Sequence, residues 1–353
     1  MTRIEKIQTE LKARDLDAIL LFSESNVHYA GQFAFTDGAV AVSRAGAWLF
    51  TDSRYIEAAR AEAKGVEVRL MDAQHKLSDQ LKEVLSGCGS IAAEEQRLAH
   101  AEWKRWEGLL ENELRDGDAL MADLRAVKDQ AEIDALVAAQ RIAEQALEEI
   151  LDYIKPGVKE RDIAAELTYR MMRLGGEGNS FDPITITGPN TSKPHGVPGE
   201  AVVQPGDFVT MDFGTLVQGY HSDMTRTVAV GYATDEMKRV YDTVLRAQLA
   251  GIALMKAGTT GAAVHQAAAD IIAAEGYGDY FGHGFGHSVG LEIHENPGAS
   301  PRNDKPLPAG AVVTAEPGIY LPGKFGVRIE DMVLIGEDGP HDLTEAPKEL
   351  IVL

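Results

Sequence analysis

An aspartate interrupts an otherwise apolar strand at Phe208-Val209-Thr210-Met211-Asp212-Phe213-Gly214. The chain then runs through Leu216-Val217-Gln218-Gly219 into a second strand-like stretch, Asp223-Met224-Thr225-Arg226-Thr227-Val228. This predicts a hairpin with its turn near Leu216 to Gly219. The midpoint of Asp212 and Asp223 falls between Val217 and Gln218. The two aspartates are therefore expected directly opposite one another on one face, with Cβ atoms about 5 Å apart. The pattern recurs downstream. Val312-Val313-Thr314-Ala315-Glu316 turns through Leu321-Pro322-Gly323-Lys324 into Val327-Arg328-Ile329-Glu330-Asp331, and the midpoint of Glu316 and Glu330 is Gly323. Like charges facing across a hairpin destabilise it, and four converging carboxylates in a partly buried place are costly unless neutralised. One such acid is as readily a solvated strand residue as a ligand. Two facing pairs favour ligands, and two divalent cations would cancel their charge.

A histidine-rich stretch supplies a further donor. In Phe281-Gly282-His283-Gly284-Phe285-Gly286-His287-Ser288-Val289-Gly290-Leu291-Glu292-Ile293-His294-Glu295, three histidines fall at spacings of four and seven. The glycine spacing is not that of a dinucleotide-binding turn, and the zinc-peptidase pattern HExxH is absent. His195, in Lys193-Pro194-His195-Gly196, is a weaker candidate on its own. Carboxylates with one imidazole form a hard donor set, which suits Mn²⁺ and tolerates Co²⁺, Fe²⁺ or Zn²⁺. Two such ions would hold a hydroxide at neutral pH and clamp a tetrahedral intermediate.

Composition narrows the partners. The formal net charge is −21 and no basic run occurs, which argues against nucleic acid and against an anionic membrane surface. The single cysteine, Cys88, allows no internal disulfide and reads as a structural thiol. No apolar run is long enough for a transmembrane helix and the N-terminus lacks a signal-peptide pattern, so a cytoplasmic protein is expected.

The pattern along the chain predicts two domains, 1–122 and 123–353. The first alternates helical material with short apolar runs such as Ala18-Ile19-Leu20-Leu21-Phe22, with Ser23-Glu24-Ser25-Asn26 expected as a loop. This is an α/β unit. A long helix is expected from Asp129 to the stop at Pro156-Gly157, and a second from about 159 to 174. Strand-like segments follow from 183 to 230, helices at 235–256 and 260–275, and strands again from 311. The fold class of this part is α+β, with two similar halves as one possibility.

From about residue 125 onward the chain resembles the pita-bread-fold metallopeptidases, the family of methionine aminopeptidases, aminopeptidase P and prolidase. The resemblance is carried by PHGVP, MDFGTLVQGYHSDMTRT, GHGFGHSVGLEIHE, TAEPGIY and GVRIED. The N-terminal part, with SNVHYAG and TDSRY, resembles the smaller creatinase-type domain of the aminopeptidase P and prolidase branch. The resemblance implies that Asp212 binds one metal, His287 and Glu316 bind the other, and Asp223 and Glu330 bridge. The resemblance gives His287 rather than His283 the ligand role, because His287 lies seven residues before His294, the family's spacing from ligand to substrate-side histidine. His195, His283 and His294 are implied to line the substrate site, and Glu316 to shuttle the proton. Arg328 shares a strand face with Glu330, and is expected to orient the ligands or meet a substrate carboxylate. Tyr320 is a candidate support for the ligands, and Phe181 a candidate wall of an apolar proline pocket.

The implied reaction is hydrolysis of an Xaa-Pro bond at the N-terminus of a short peptide with proline second. The implied assembly is a homodimer or larger. Many prolidases carry HExPR, whereas this chain reads His294-Glu295-Asn296-Pro297-Gly298. Glycine stands at the arginine position and the nearest arginine is Arg302. The missing charge favours aminopeptidase P over an Xaa-Pro dipeptidase. The pita-bread fold also serves as a non-enzymatic peptide-binding module and as a metal-free creatine hydrolase. Both of those lose the acidic set that this chain keeps.

Overall fold

The computed structural model describes all 353 residues. They divide into two units, Met1–Arg125 and Ala126–Leu353.

In the first unit the short apolar runs become a six-stranded mixed sheet. Its strands are β1 (Ala18–Leu21), β2 (Gly38–Ser43), β3 (Ala47–Thr51), β4 (Glu67–Leu70), β5 (Ile91–Ala93) and β6 (Leu114–Asp116), ordered β4-β3-β2-β1-β5-β6. β1 pairs antiparallel with β2 and parallel with β5, and every residue of β1 is buried, which is why it reads as a continuous apolar run rather than an alternating one. Ala18, Leu20, Phe50, Ile91 and Trp106 share one core.

Ser23 to Asn26, expected as a loop, instead opens a helix over Glu24–Gly31. The Ser23 hydroxyl accepts the Asn26 N–H as an N-cap. The carboxylate of fully buried Glu94, just after β5, accepts the backbone N–H groups of Phe22 and Ser23 and the Asn26 amide. A partner about seventy residues away thus satisfies the helix start, and nothing local announces it.

The second unit begins with the helix Gln130–Leu151, which Asp129 caps through a capping box with Glu132. A second helix, Glu160–Arg173, follows. Together they cover one face of a three-stranded antiparallel sheet of β7 (Ile184–Thr187), β8 (Phe208–Phe213) and, after a small ribbon of β9 (Leu216–Val217) and β10 (Tyr220–His221), β11 (Met224–Ala229). The helices Asp235–Ile252 and Gly261–Ala274 come next. They pack with β12 (Gly286–Ser288), β13 (Glu295–Ala299), β14 (Val312–Ala315), the ribbon β15 (Gly318–Leu321) and β16 (Phe325–Arg328), β17 (Asp331–Ile335) and β18 (Pro340–Asp342). Each half is thus a pair of helices followed by antiparallel strands. No helix is long and apolar enough to cross a membrane.

Candidate active site

Strand alternation decides which residues meet. In β8, Val209, Met211 and Phe213 pack on the helices, so Asp212 points to the opposite face. In β14 to β17, Val313, Ala315, Ile319, Val327, Ile329 and Val333 fill the second core, so Glu316, Tyr320, Arg328 and Glu330 take the other side. Both faces open on one cleft of about 500 Å³, lined by Asp212, Asp223, His287, Glu316 and Glu330 among others.

The first hairpin has a different register from the one expected. Asp212 pairs with Thr225, not with Asp223, and Met224 pairs with Phe213. The turn is tighter than the sequence suggested: Val217 pairs with Tyr220, and Gln218 and Gly219 both have positive φ, 50° and 73°. That is a two-residue hairpin turn, centred one residue later than the midpoint of the two aspartates. The Glu177 carboxylate holds it by accepting both turn N–H groups, at 2.8 and 3.0 Å. Asp223 is therefore diagonal to Asp212 on the same face, a separation of roughly 7 Å. The second hairpin runs with Gly318 opposite Arg328 and Ala315 opposite Asp331, so Glu316 faces Glu330 in the gap between the two ladders.

His287 closes the acid cluster. Its Nε2 lies 3.5 Å from Asp223 Oδ2 and 3.6 Å from Glu316 Oε1. Asp223, His287 and Glu330 each offer a donor atom within 4.8 Å of the others. Asp212 Oδ1 is buried without a hydrogen-bond partner. A buried carboxylate oxygen with no partner, beside three more acids and an imidazole, is the donor set a hard divalent cation completes.

Electrostatics agree with that fit. Burial raises the carboxyl pKa of Asp212, and burial with Asp212 and Glu316 nearby raises that of Asp223 well above its usual range. Burial lifts Glu316 to about 8 and, with Asp223 adding to it, raises Glu330 as well. Burial, then the neighbouring His294, lowers His287 to about 4, so its imidazole is neutral and free to donate a lone pair.

Arg328 reaches into the cluster from β16. Nη2 donates to Asp212 Oδ2 at 2.5 Å, Nε to Thr225 Oγ1 at 3.0 Å, and Nη1 to the Tyr320 hydroxyl at 3.0 Å and the Pro194 carbonyl at 3.3 Å. Thr225 Oγ1 donates onward to Glu330 Oε2 at 2.6 Å. Thr225 was missed in the sequence, although its position two residues after Asp223 puts it on the same face. His283 lies apart from the acids: its Nε2 is 3.0 Å from the Tyr320 hydroxyl, and burial, then Arg328, lowers it to about 4. His195 and His294 are exposed on the cleft wall, and the His294 ring stands 4.4 Å from that of His287. Phe181, Ile184, Pro194 and Ile293 supply the apolar part of the wall. Gly298 lies in β13, and exposed Arg302 does not line the cleft.

Residues 134–337 match metallopeptidase family M24, and residues 3–127 match the creatinase/prolidase N-terminal domain. The chain belongs to metallopeptidase family M24. It resembles an Xaa-Pro dipeptidase from Bacillus anthracis, with 40% identity over 99% of both chains and a TM-score of 0.95. It also resembles an X-Pro aminopeptidase from Thermotoga maritima, with 36% identity over 100% of both chains and a TM-score of 0.92. An Xaa-Pro dipeptidase of Pyrococcus furiosus is 35% identical over 99% of both chains. The fold of this M24 metallopeptidase is a creatinase-type N-terminal domain followed by a pita-bread domain. Dipeptidases and aminopeptidases stand at similar identity to it, so kinship leaves the expected preference for aminopeptidase P open.

Proposed function

We propose that this M24 metallopeptidase cleaves Xaa-Pro bonds at peptide N-termini and prefers longer peptides to dipeptides. Asp212, Asp223, His287, Glu316 and Glu330 hold two divalent ions, Mn²⁺ foremost, as the convergent donors and the partnerless Asp212 Oδ1 support. When bound, the ions supply a Lewis acid that lowers the pKa of water and offsets negative charge.

The chain's own groups do the rest. Glu316, facing the cleft, takes the proton that the attacking water loses and returns it to the departing proline nitrogen. His195 and His294 orient the substrate backbone from the wall, and His283 is held in a fixed tautomer by the Gly284 carbonyl and the Tyr320 hydroxyl. Phe181, Ile184 and Ile293 form an apolar wall for the pyrrolidine ring.

The observation that carries the length preference is the engagement of Arg328. It is the only guanidinium in the cleft lining, and all three of its nitrogens already donate within the protein. A dipeptide ends in a carboxylate directly on the proline, and binding it tightly calls for a free cation. Arg328 acts instead to align Asp212, Thr225 and Tyr320. The test compares an Xaa-Pro dipeptide with an Xaa-Pro-Xaa tripeptide at matched concentration with Mn²⁺ present. Higher kcat/KM on the tripeptide is expected. Cleavage of the dipeptide alone would overturn the length preference, and no metal-dependent cleavage of either would overturn the reading itself.

A further inference from the structure

A buried ion pair lies behind the histidine loop, outside the acid cluster. Lys128 immediately precedes the N-cap of the helix Gln130–Leu151. Its Nζ lies 3.1 Å from Glu295 Oε2, and the two side chains are only 1% and 5% exposed. Removing both charges from water consumes much of their mutual attraction, so such a pair is weak evidence for stability and better evidence for holding an arrangement.

What it holds is the turn between the two cleft histidines that are in ring contact. Glu295 follows His294 and is paired across β12–β13 with Ser288, which follows His287. Glu295 Oε1 accepts the Glu292 N–H at 3.1 Å, folding the carboxylate under the intervening loop. A Cβ on Gly290 would lie 2.6 Å from both Glu295 carboxylate oxygens, so any side chain there would push the carboxylate out of its present position. Gly290 in turn donates to the Glu292 carbonyl and accepts the His221 N–H, at 3.1 and 2.9 Å. The same helix end also grips the first hairpin. The Tyr220 hydroxyl donates to Glu132 Oε1 at 2.9 Å, and Glu132 belongs to the capping box that begins one residue after Lys128. One helix N-terminus therefore touches the hairpin that carries Asp223 and the loop that carries His294.

We propose that Lys128 is a positioning residue for peptide hydrolysis: its buried ion pair with Glu295 sets the loop that holds the His294 imidazole against His287. This rests on the substrate-side role given to His294 above. Lys128 touches neither substrate nor ligand; it acts through Glu295. A side-chain ammonium is the right group, because Glu295 Oε2 accepts it while Oε1 remains available to the Glu292 N–H.

The test uses the full chain loaded with Mn²⁺ and an Xaa-Pro-Xaa tripeptide. Lys128→Met is expected to lower kcat by about 10- to 100-fold with KM little changed, the range typical of lost support behind an active group. Lys128→Arg, which keeps the charge, is expected to restore most of kcat. Because Lys128→Met takes one cation away from a buried carboxylate, Lys128→Met/Glu295→Met is made alongside it. The double variant is expected to regain thermal stability without regaining kcat. Recovery of both would show a merely structural pair and overturn the proposal, as would a Lys128→Met enzyme with wild-type kcat. A second measurement follows the His294 ring resonances by NMR in the metal-free protein. They are expected to move in Lys128→Met and to return toward their wild-type positions in Lys128→Arg, and resonances unmoved in Lys128→Met would overturn the proposal. This readout needs no turnover. A wild-type chain inactive on every Xaa-Pro peptide would sink the functional reading, while the ring measurement would still decide whether Lys128 places His294.

Discussion

Two sets of buried charge sit back to back on the same strands and are treated in opposite ways. On the cleft side, four carboxylates and a neutral imidazole converge around a single cation, Arg328, which pairs with Asp212, and the other Asp212 oxygen lacks any partner. On the far side, Asp331, next to Glu330, is fully buried and completely matched. Arg226 Nη2 donates to its Oδ1 at 2.7 Å, and Lys348 and Gln248 donate to its Oδ2 at 2.5 and 2.7 Å. Lys348 also pairs with Asp342 at 2.5 Å. Arg226, itself buried, donates further to the carbonyls of Thr225, Glu330, Ala346 and Pro347. One residue step along a strand reverses the face, so Glu330 and Asp331 are neighbours in sequence and opposites in environment. The far side shows that this fold can neutralise a buried acid with its own side chains. Where one guanidinium faces four acids, the remaining positive charge is what the proposed divalent ions would bring.

The comparison can be broken from either side. Arg226→Met should be the largest effect, a loss of about 3–5 kcal/mol, because it leaves Asp331 short of a partner in the core; equilibrium denaturant unfolding measures it. A neutral result would mean the far-side network is not what fixes these strands. Asp223→Asn should act in the opposite sense on the metal-free protein and raise its Tm, by removing one of several like charges. In calorimetric titration with Mn²⁺ the same variant should lose more than about 100-fold in affinity. Unchanged affinity and unchanged hydrolysis would remove Asp223 from the site.

A pH series sharpens the contrast. Burial raises Glu316 from its ordinary 4.5 to about 8, so between those values the folded state binds more protons than the unfolded one. Stability of the metal-free protein must then fall as pH rises. His287, lowered from 6.5 to about 4, works the other way, but only below pH 6.5. Between pH 6.5 and 8 the carboxylate effect stands alone, and the Tm of the metal-free protein should decline across that window. Saturating Mn²⁺ should abolish the decline, since the cation takes the place of the protons. A flat Tm without metal would show the acids are not held in the way described. The smallest effect calibrates the rest. Thr234→Ala removes an ordinary cap from the helix Asp235–Ile252, and a loss of about 1 kcal/mol in chemical unfolding is expected, with metal affinity unchanged.

Much of the site was legible because strand periodicity is local. Glu316 and Glu330 could be paired by counting to Gly323, since a hairpin whose turn lies at its midpoint keeps that count throughout. The same count failed for Asp212 and Asp223 by two residues. There the turn is set by Gln218 and Gly219, and by a Glu177 carboxylate from outside the hairpin. The helix at Glu24 escaped for the same reason, because its start is satisfied by Glu94.

The kinds of candidate donor, their order along the chain and the strand faces they occupy could be read before any folding. Those follow from side-chain chemistry and from the two-residue repeat of a strand. Which acids stand opposite or diagonal, the pairing of Arg328 with Asp212 and Tyr320, and the contact of Lys128 with Glu295 arise in the folded chain alone. These are contacts between segments from about eight to well over a hundred residues apart, and their partners are chosen by how the cores pack rather than by any nearby residue.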